Sequence, residues 1–254
     1  MPSINVSGVI IAHNSAATLA DCLTSLSRLD EVVVYENNST DNTAEIAASF
    51  PNVRLEQGDF KGFGPTKNLA ASFARHDWVL SLDSDEVASD ELIDEIASLS
   101  LDDPKELYEV DRHNYFMGEH VKHSGWGNDW LPRLYNRQCH GYNEAVVHEN
   151  VIPAPDAKVI RLRGPLKHRA VDQISQFLVK IDRYTELRME EGAKGYGPFM
   201  SLLKANWAFL RSYLLQRGFL DGWRGLVIAW GEASGVFYRC MKCYARDQQA
   251  GQDS

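Results

Sequence analysis

Cysteine is scarce in this chain, with four among 254 residues. Cys22, Cys139, Cys240 and Cys243 are too few and too scattered for a disulfide framework, so an apolar core has to hold the fold. The close pair, Cys240-Met-Lys-Cys243, lacks the second pair that a zinc site requires and falls in a late helical stretch, so it is expected to be incidental. Apolar runs long enough to span a membrane are also missing, because Arg211, Arg217 and Arg224 interrupt each candidate. A basic excess is absent too. The net charge of −9 argues against a nucleic-acid partner, whose phosphates select for a basic surface. Neither a Gly-x-Gly-x-x-Gly after the first strand nor a Walker-type Gly-Lys-Ser/Thr ending occurs, which weakens dehydrogenase and P-loop readings. No signal peptide, internal repeat or low-complexity linker is legible, and the expected location is a reducing cytoplasm.

What is present reads as an α/β fold. Hydrophobic residues at 44% and charged residues at 24% suit one catalytic domain with an appendage at this length. The first hundred residues alternate β-branched runs with helical patterns, the signature of a parallel sheet with crossover helices. Strands are expected at Ile4 to Ala12, Glu31 to Tyr35, Val53 to Glu56 and Asp77 to Leu82. Between them, Ser15 is expected to cap a helix carrying Leu19, Cys22, Leu23 and Leu26 on one face. Ser39 or Asp41 is expected to cap a second helix, Pro65 to open a third, and Ser89 to cap Glu91 to Leu99. A mixed region of strands and Gly-, Asn- and His-rich loops follows from Tyr108 to about Arg169, and three helical stretches follow that.

The strongest chemical signal is Leu82-Asp83-Ser84-Asp85-Glu86, where an apolar strand runs into three acids. The carboxyl end of a buried strand is where α/β sheets bind ligands, and clustered carboxylates there are tolerable beside a divalent cation or a phosphate. The same five residues also fit a solvent-exposed turn into the next helix. Upstream, Glu36 lies just past a strand, placed to accept bonds from a ribose or base, and Asp41 follows within a Ser-Thr-Asp helix start. Gly62 to Asn68 leads into a helix and offers backbone N–H groups and the Lys67 cation near a diphosphate position. His120-Val121-Lys122-His123 reads as a solvated face rather than a metal pair.

Ile10 to Asn14, Glu36 to Asp41 with Thr43, Lys67-Asn68, Trp78 to Glu86 and Trp130 to Tyr135, in that order, resemble family 2 glycosyltransferases. The resemblance covers roughly residues 4 to 150. It implies a GT-A fold: a Rossmann-like nucleotide-sugar-binding domain with a mixed central sheet over residues 1–170, donor-binding to about residue 100 and acceptor-binding beyond, then a helical extension over 171–254. Donor contacts are implied for Ala12, Asn14, Glu36, Asn38, Asp41, Lys67, Asp83 and Ser84. Asp83 and Asp85 are implied to hold Mg²⁺ or Mn²⁺. The sequence departs from the commoner pattern where Ser15 replaces a Glu and Glu36 replaces an Asp.

Asp111 to Gly118, Gly125-Trp126, Arg133 to Tyr135 and Val147 to Glu149 are similar to bacterial lipopolysaccharide core β-glucosyltransferases. That likeness implies UDP-glucose as donor and a heptosylated lipid A as acceptor, with inversion at the anomeric carbon. Glu149 is the favoured general base and Asp129 the second choice; Arg112, Trp126, Arg133 and His148 are expected around the acceptor. His148 equally suits a structural role, and Arg133 equally suits a phosphate fork or a salt bridge. Another envelope polysaccharide, a protein or a lipid carrier is the alternative acceptor, and a non-catalytic sugar-nucleotide binder is the alternative class. Residues 199–246 carry seven Lys or Arg against two acids, interleaved with aromatic anchors, so peripheral contact with the cytoplasmic face of the inner membrane is expected.

Overall fold

The structure is a computed structural model that describes residues 4–144, 149–190 and 192–252. The chain divides into two compact units, Met1–Arg112 with Asp129–His168, and His113–Asn128 with Arg169–Ser254. The segment 113–128, which the sequence reading groups with the catalytic half, thus packs within the second unit.

In the first unit, β1 (Ile4–Ala12), β2 (Leu29–Glu36), β3 (Val53–Gln57) and β4 (Trp78–Asp83) are parallel in the order β3-β2-β1-β4. The helices α1 (Leu19–Ser25), α2 (Thr43–Ala48) and α3 (Phe63–Ser72) connect them. The chain continues through β5 (Glu86–Ala88), α4 (Asp90–Ser98), β6 (Glu106–Phe116), β7 (Glu119–His120) and β8 (Trp130–Asn136). β8 lies antiparallel between β4 and β6, which makes the sheet mixed. Next come β9 (Gly141–Tyr142), β10 (Val151–Ile152), β11 (Lys158–Arg161) and β12 (Leu166–Val171); β11 pairs parallel with β6, and β12 pairs antiparallel with β5.

Alternation along the central strands explains why both faces are covered. Ile10, Val32, Val34, Leu80 and Leu82 point into one core with α1, α2 and α4, whereas Val9, Ile11, Val33, Tyr35 and Val79 point into the other with Ala70, Ala71 and Ala74. The expected helix face is as read, since Leu19, Cys22, Leu23 and Leu26 are fully buried. Ser15 does not cap α1, however. Its hydroxyl donates to the His13 carbonyl at 3.2 Å and lies 2.8 Å from the Ser84 hydroxyl, and it is its carbonyl that accepts from the Thr18 and Leu19 N–H groups. Pro65 is the third residue of α3, which begins at Phe63 after Gly62 at φ 99°, a conformation that favours glycine. Ser89 caps α4 as expected, accepting from Leu92 N at 3.1 Å.

The second unit contains α5 (Ile174–Glu190), α6 (Pro198–Leu210), a π-helical turn at Arg211–Leu215 and α7 (Gly222–Gln252). Phe116, Val121, Val171, Phe177 and Ile228 form its core, with Trp126 packed against it. Cys240 and Cys243 are buried, free thiols on α7. His123 is not on a solvated face: its Nδ1 lies 2.9 Å from Asp221, whose carboxylate also accepts from the His123 backbone N–H at 2.9 Å. No described helix is long and apolar enough to cross a membrane.

Candidate active site

Parallel register puts the carboxyl ends of three strands side by side. Ala12 pairs with Glu36, and Ile11 pairs with Asp83, so the last residues of β1, β2 and β4 share one edge of the sheet. The loops beyond are tied together by side chains. Asn14 N donates to Ser39 Oγ and Asn14 Oδ1 accepts from Thr40 N, both at 2.9 Å, while Asp41 accepts from Ala16 N at 3.1 Å and from Thr43 N at 3.1 Å. Asn14 (φ 48°) and Asn38 (φ 53°) occupy the left-handed region, which asparagine tolerates because its amide bonds locally. The backbone carbonyl of Ala12 accepts from Asn37 N, and the Asn38 amide donates to Asp59.

Glu36 is buried at the end of β2 and accepts from Ser39 N and from Gln57 Nε2. Burial works to raise its carboxyl, but these bonds outweigh it and leave the group below the usual glutamate range. The added methylene relative to aspartate lets the carboxylate reach over its own turn. The other departure from the family pattern is accommodated differently, as Ser15 bonds Ser84 within the acidic motif.

Around Asp83, acids and bases alternate in one continuous chain. Glu149 Oε1 meets Lys67 Nζ at 2.8 Å, and the same ammonium meets Asp83 Oδ1 at 2.7 Å. Asp83 Oδ2 accepts from Arg133 Nη2 at 3.0 Å, Arg133 also bonds Glu86, Glu86 lies 3.5 Å from Arg112, and Arg112 meets Asp129 at 2.8 Å. Four carboxylates are thereby threaded by three cations. Lys67 and Arg133 are almost fully buried, at 2% and 3% exposure, so their charges require these partners. Lys67 also lies over the Tyr142 ring, 5.0 Å from its centroid, and the Tyr142 hydroxyl bonds Ser81.

The electrostatic consequences differ for the two acids that share Arg133. Burial works to raise Asp83, but Lys67 and Arg133 together pull it well below the usual carboxylate range. Glu86 has no exposure, and its burial, with Asp83 nearby, raises it despite Arg133. Lys67 resists the downward push of burial because Asp83 holds its ammonium charged, and it ends above the usual lysine range.

The acidic motif is neutralised in large part by the chain's own cations, which engage both Asp83 oxygens, while the Asp83 side chain keeps 31% exposure. Of the two readings left open for Arg133, the structure shows the salt bridge: its Nη2 donates to both Asp83 and Glu86, while its buried Nε has no hydrogen-bond partner among the described residues. Among the described residues, no group of three or more His, Cys, Asp or Glu is placed to hold a metal ion. Asp85 has a different partner, His168 at 3.4 Å, and its side chain, at 34% exposure, is about as accessible as that of Asp83. Two partly accessible carboxylates match the hard oxygen ligation of Mg²⁺ or Mn²⁺ shared with phosphate oxygens.

Glu149, Lys67, Asp83, Arg133, Arg112 and Asp129 are therefore brought together, and Glu36 and Asp85 lie on the same strand-end loops. Trp126 belongs to the second unit, where it stacks edge-on against Phe116 and Phe177 and its carbonyl accepts from Asn114. His148 lies outside the described residues. Sequence reasoning assigned no role to Glu86 or His168. The burial of Glu86 could have been suspected from its place in the acidic motif, but nothing in the sequence marks His168.

The chain is similar to known glycosyltransferases. The chain is 26% identical over 236 residues to an uncharacterized glycosyltransferase of Rickettsia prowazekii, covering 87% of this chain and 80% of that one. It is 26% identical over 257 residues to the lipopolysaccharide core biosynthesis glycosyltransferase LpsC of Rhizobium meliloti, covering 97% and 94%. Among solved structures, TarS of S. aureus aligns with a TM-score of 0.47 and 18% identity, over 84% of this chain and 45% of TarS, so this chain spans under half of that protein. The sequence profile of glycosyl transferase family 2 matches residues 7–157, more than half of the chain and the whole of the charged network, and the protein belongs to that family of glycosyltransferases.

Proposed function

We propose that this glycosyltransferase moves glucose, with inversion, from UDP-glucose to a heptose of the lipopolysaccharide inner core, working at the cytoplasmic face of the inner membrane. The observation that carries the reading is the Glu149–Lys67–Asp83 bridge at the carboxyl edge of β1, β2 and β4. It sets a carboxylate suited to take a proton a single ammonium away from the strand end where α/β sheets hold nucleotides.

In this mechanism Glu36 and the Asn14, Asn38 and Asp41 loops receive the nucleoside, and Ser84 and Lys67 face the diphosphate. Glu149 accepts the proton of the attacking hydroxyl as its oxygen bonds to the anomeric carbon. The bond from that carbon to the diphosphate breaks with its electron pair, and the nucleoside diphosphate leaves. Lys67 fixes Glu149 in place and contributes positive charge near the departing group. Asp129, held by Arg112, borders the acceptor side. Asp85, with Asp83 beside it, would hold a divalent cation, which would supply further charge stabilisation to the leaving diphosphate. The identity of the sugar and of the acceptor rests on the likeness to core glucosyltransferases and on the LpsC relative.

The test is a transfer assay with UDP-glucose, UDP-galactose, UDP-N-acetylglucosamine and GDP-mannose, each with Mg²⁺ or Mn²⁺, with and without heptosylated lipid A, for wild type and Asp85→Ala. Transfer from UDP-glucose that requires the metal and is lost in Asp85→Ala supports the proposal. Transfer from another donor, or to no heptosylated acceptor, replaces the donor or the acceptor in it.

A further inference from the structure

α6 is built inside out. Its inward face carries Ser201, Ala205 and Ala208, continued by Ser212 on the π-helical turn, all buried. The large apolar side chains stand on the opposite side: Phe199 is 74% exposed, Trp207 60%, Leu203 48%, Leu210 44% and Leu214 51%. At about 100° per residue these five fall on one continuous seam, directly across the helix from the small residues. A surface helix of a water-soluble unit normally shows the reverse, with large apolar residues inward and polar residues outward. Small residues at the helix–helix contact and large apolar ones outward is the arrangement of helices whose outer solvent is lipid.

Charge narrows what covers the seam. Residues 198–220 contain Lys204, Arg211 and Arg217 and no acid at all, in a chain whose net charge is −9. Lys204 and Arg211 flank the seam on one side rather than interrupting it; Lys204 lies over the Tyr196 ring at 4.3 Å, and Arg211, 3.7 Å from Glu232 of α7, keeps a side chain 53% exposed, a position from which long side chains reach headgroup phosphates. A second copy of the chain fits less well, since a two-fold contact through this face would set the same cations against each other with no acid within the segment, the nearby Glu232 of α7 being already paired with Arg211 at 3.7 Å. The segment is too interrupted by charge to span a bilayer, and no described helix qualifies as a span.

We infer that α6 and the following turn lie in the plane of an anionic membrane, with Phe199, Leu203, Trp207, Leu210 and Leu214 buried at the acyl boundary and Lys204 and Arg211 at the phosphates. This rests on the membrane-face part of the functional reading and gives it a specific element and orientation.

The experiment uses the full chain with phosphatidylcholine vesicles, with and without phosphatidylglycerol, read by sedimentation. Wild type sediments with the anionic vesicles. Trp207→Glu/Leu210→Glu lowers the partition coefficient at least about tenfold, because two seam side chains lose their burial. Lys204→Gln/Arg211→Gln lowers it about fivefold for each charge removed, and only for anionic vesicles. Quenching of tryptophan emission by brominated lipid, present in wild type and reduced in the conservative Trp207→Phe variant, reports insertion without relying on the disruptive substitution. Equal sedimentation of wild type and the Glu variant, or no lipid quenching that Trp207→Phe reduces, overturns the inference. So does a wild-type dimer in solution that the Glu variant abolishes. Donor hydrolysis in the absence of vesicles stays at the wild-type rate in these variants, so loss of membrane binding is distinguishable from failure of the glycosyl-transfer reading.

Discussion

Replacing Lys67 by Met removes the one cation that joins Glu149 to the acidic motif and retains most of the aliphatic volume. The ammonium is almost fully buried and makes contacts of 2.7 and 2.8 Å with two carboxylates. Taking one partner from a buried pair costs about 3–5 kcal/mol, because the remaining charge is left uncompensated. The low end applies. The Asp83 and Glu149 side chains keep 31% and 20% exposure, so water screens part of the loss, and Arg133 still holds Asp83 at 3.0 Å. We therefore expect a destabilisation of about 3 kcal/mol at neutral pH, or roughly 6–12 °C in Tm for a chain of this size.

The pH dependence gives a sharper check. In wild type the Asp83 carboxyl is held well below its unfolded value, so its contribution is complete above that unfolded value and is lost as pH falls through the lower, folded one. Without Lys67 the folded value moves back up, so the gap between wild type and variant is widest at neutral pH and closes as the carboxylates protonate. Urea denaturation followed by circular dichroism at neutral and strongly acidic pH measures both. A difference below about 1 kcal/mol at neutral pH, the level of an exposed pair, or a gap that widens on acidification, would refute the argument.

Other substitutions separate catalysis from structure. Glu149→Gln is expected to lower the transfer rate by about 10²–10⁴ while donor affinity measured by calorimetry is retained, and Asp129→Asn is expected to affect rate far less; the opposite order would reassign the base. Arg133→Lys keeps the charge but changes the length and shape of the side chain that sets one nitrogen, Nη2, between Asp83 and Glu86, with an expected loss of about 2–3 kcal/mol in thermal unfolding, and a neutral result would show that charge alone suffices. Ser89→Ala removes the cap on α4 and should cost about 1 kcal/mol without changing the transfer rate.

The local sequence determined the elements, because the β-branched runs of β1, β2 and β4 and the apolar spacing of α1 are each written within a few residues. It also marked Glu36, Asp83 and Asp85 as functional candidates, since each follows an apolar strand directly. The small-in, large-out pattern of α6 was present in the letters, but periodicity alone does not say which face turns inward. Only the tertiary structure decided how the charges pair. Lys67 and Glu149 are separated by 82 positions and Arg133 and Asp83 by 50, and strand order and register bring them within bonding distance. For that reason the sequence showed the acidic motif without its partners, while in the folded chain Asp83 is paired with two buried cations and Asp85 lies 3.4 Å from His168. A side chain's partner is set by whatever the fold packs against it, and that information is distributed over the whole sheet rather than held in any one motif.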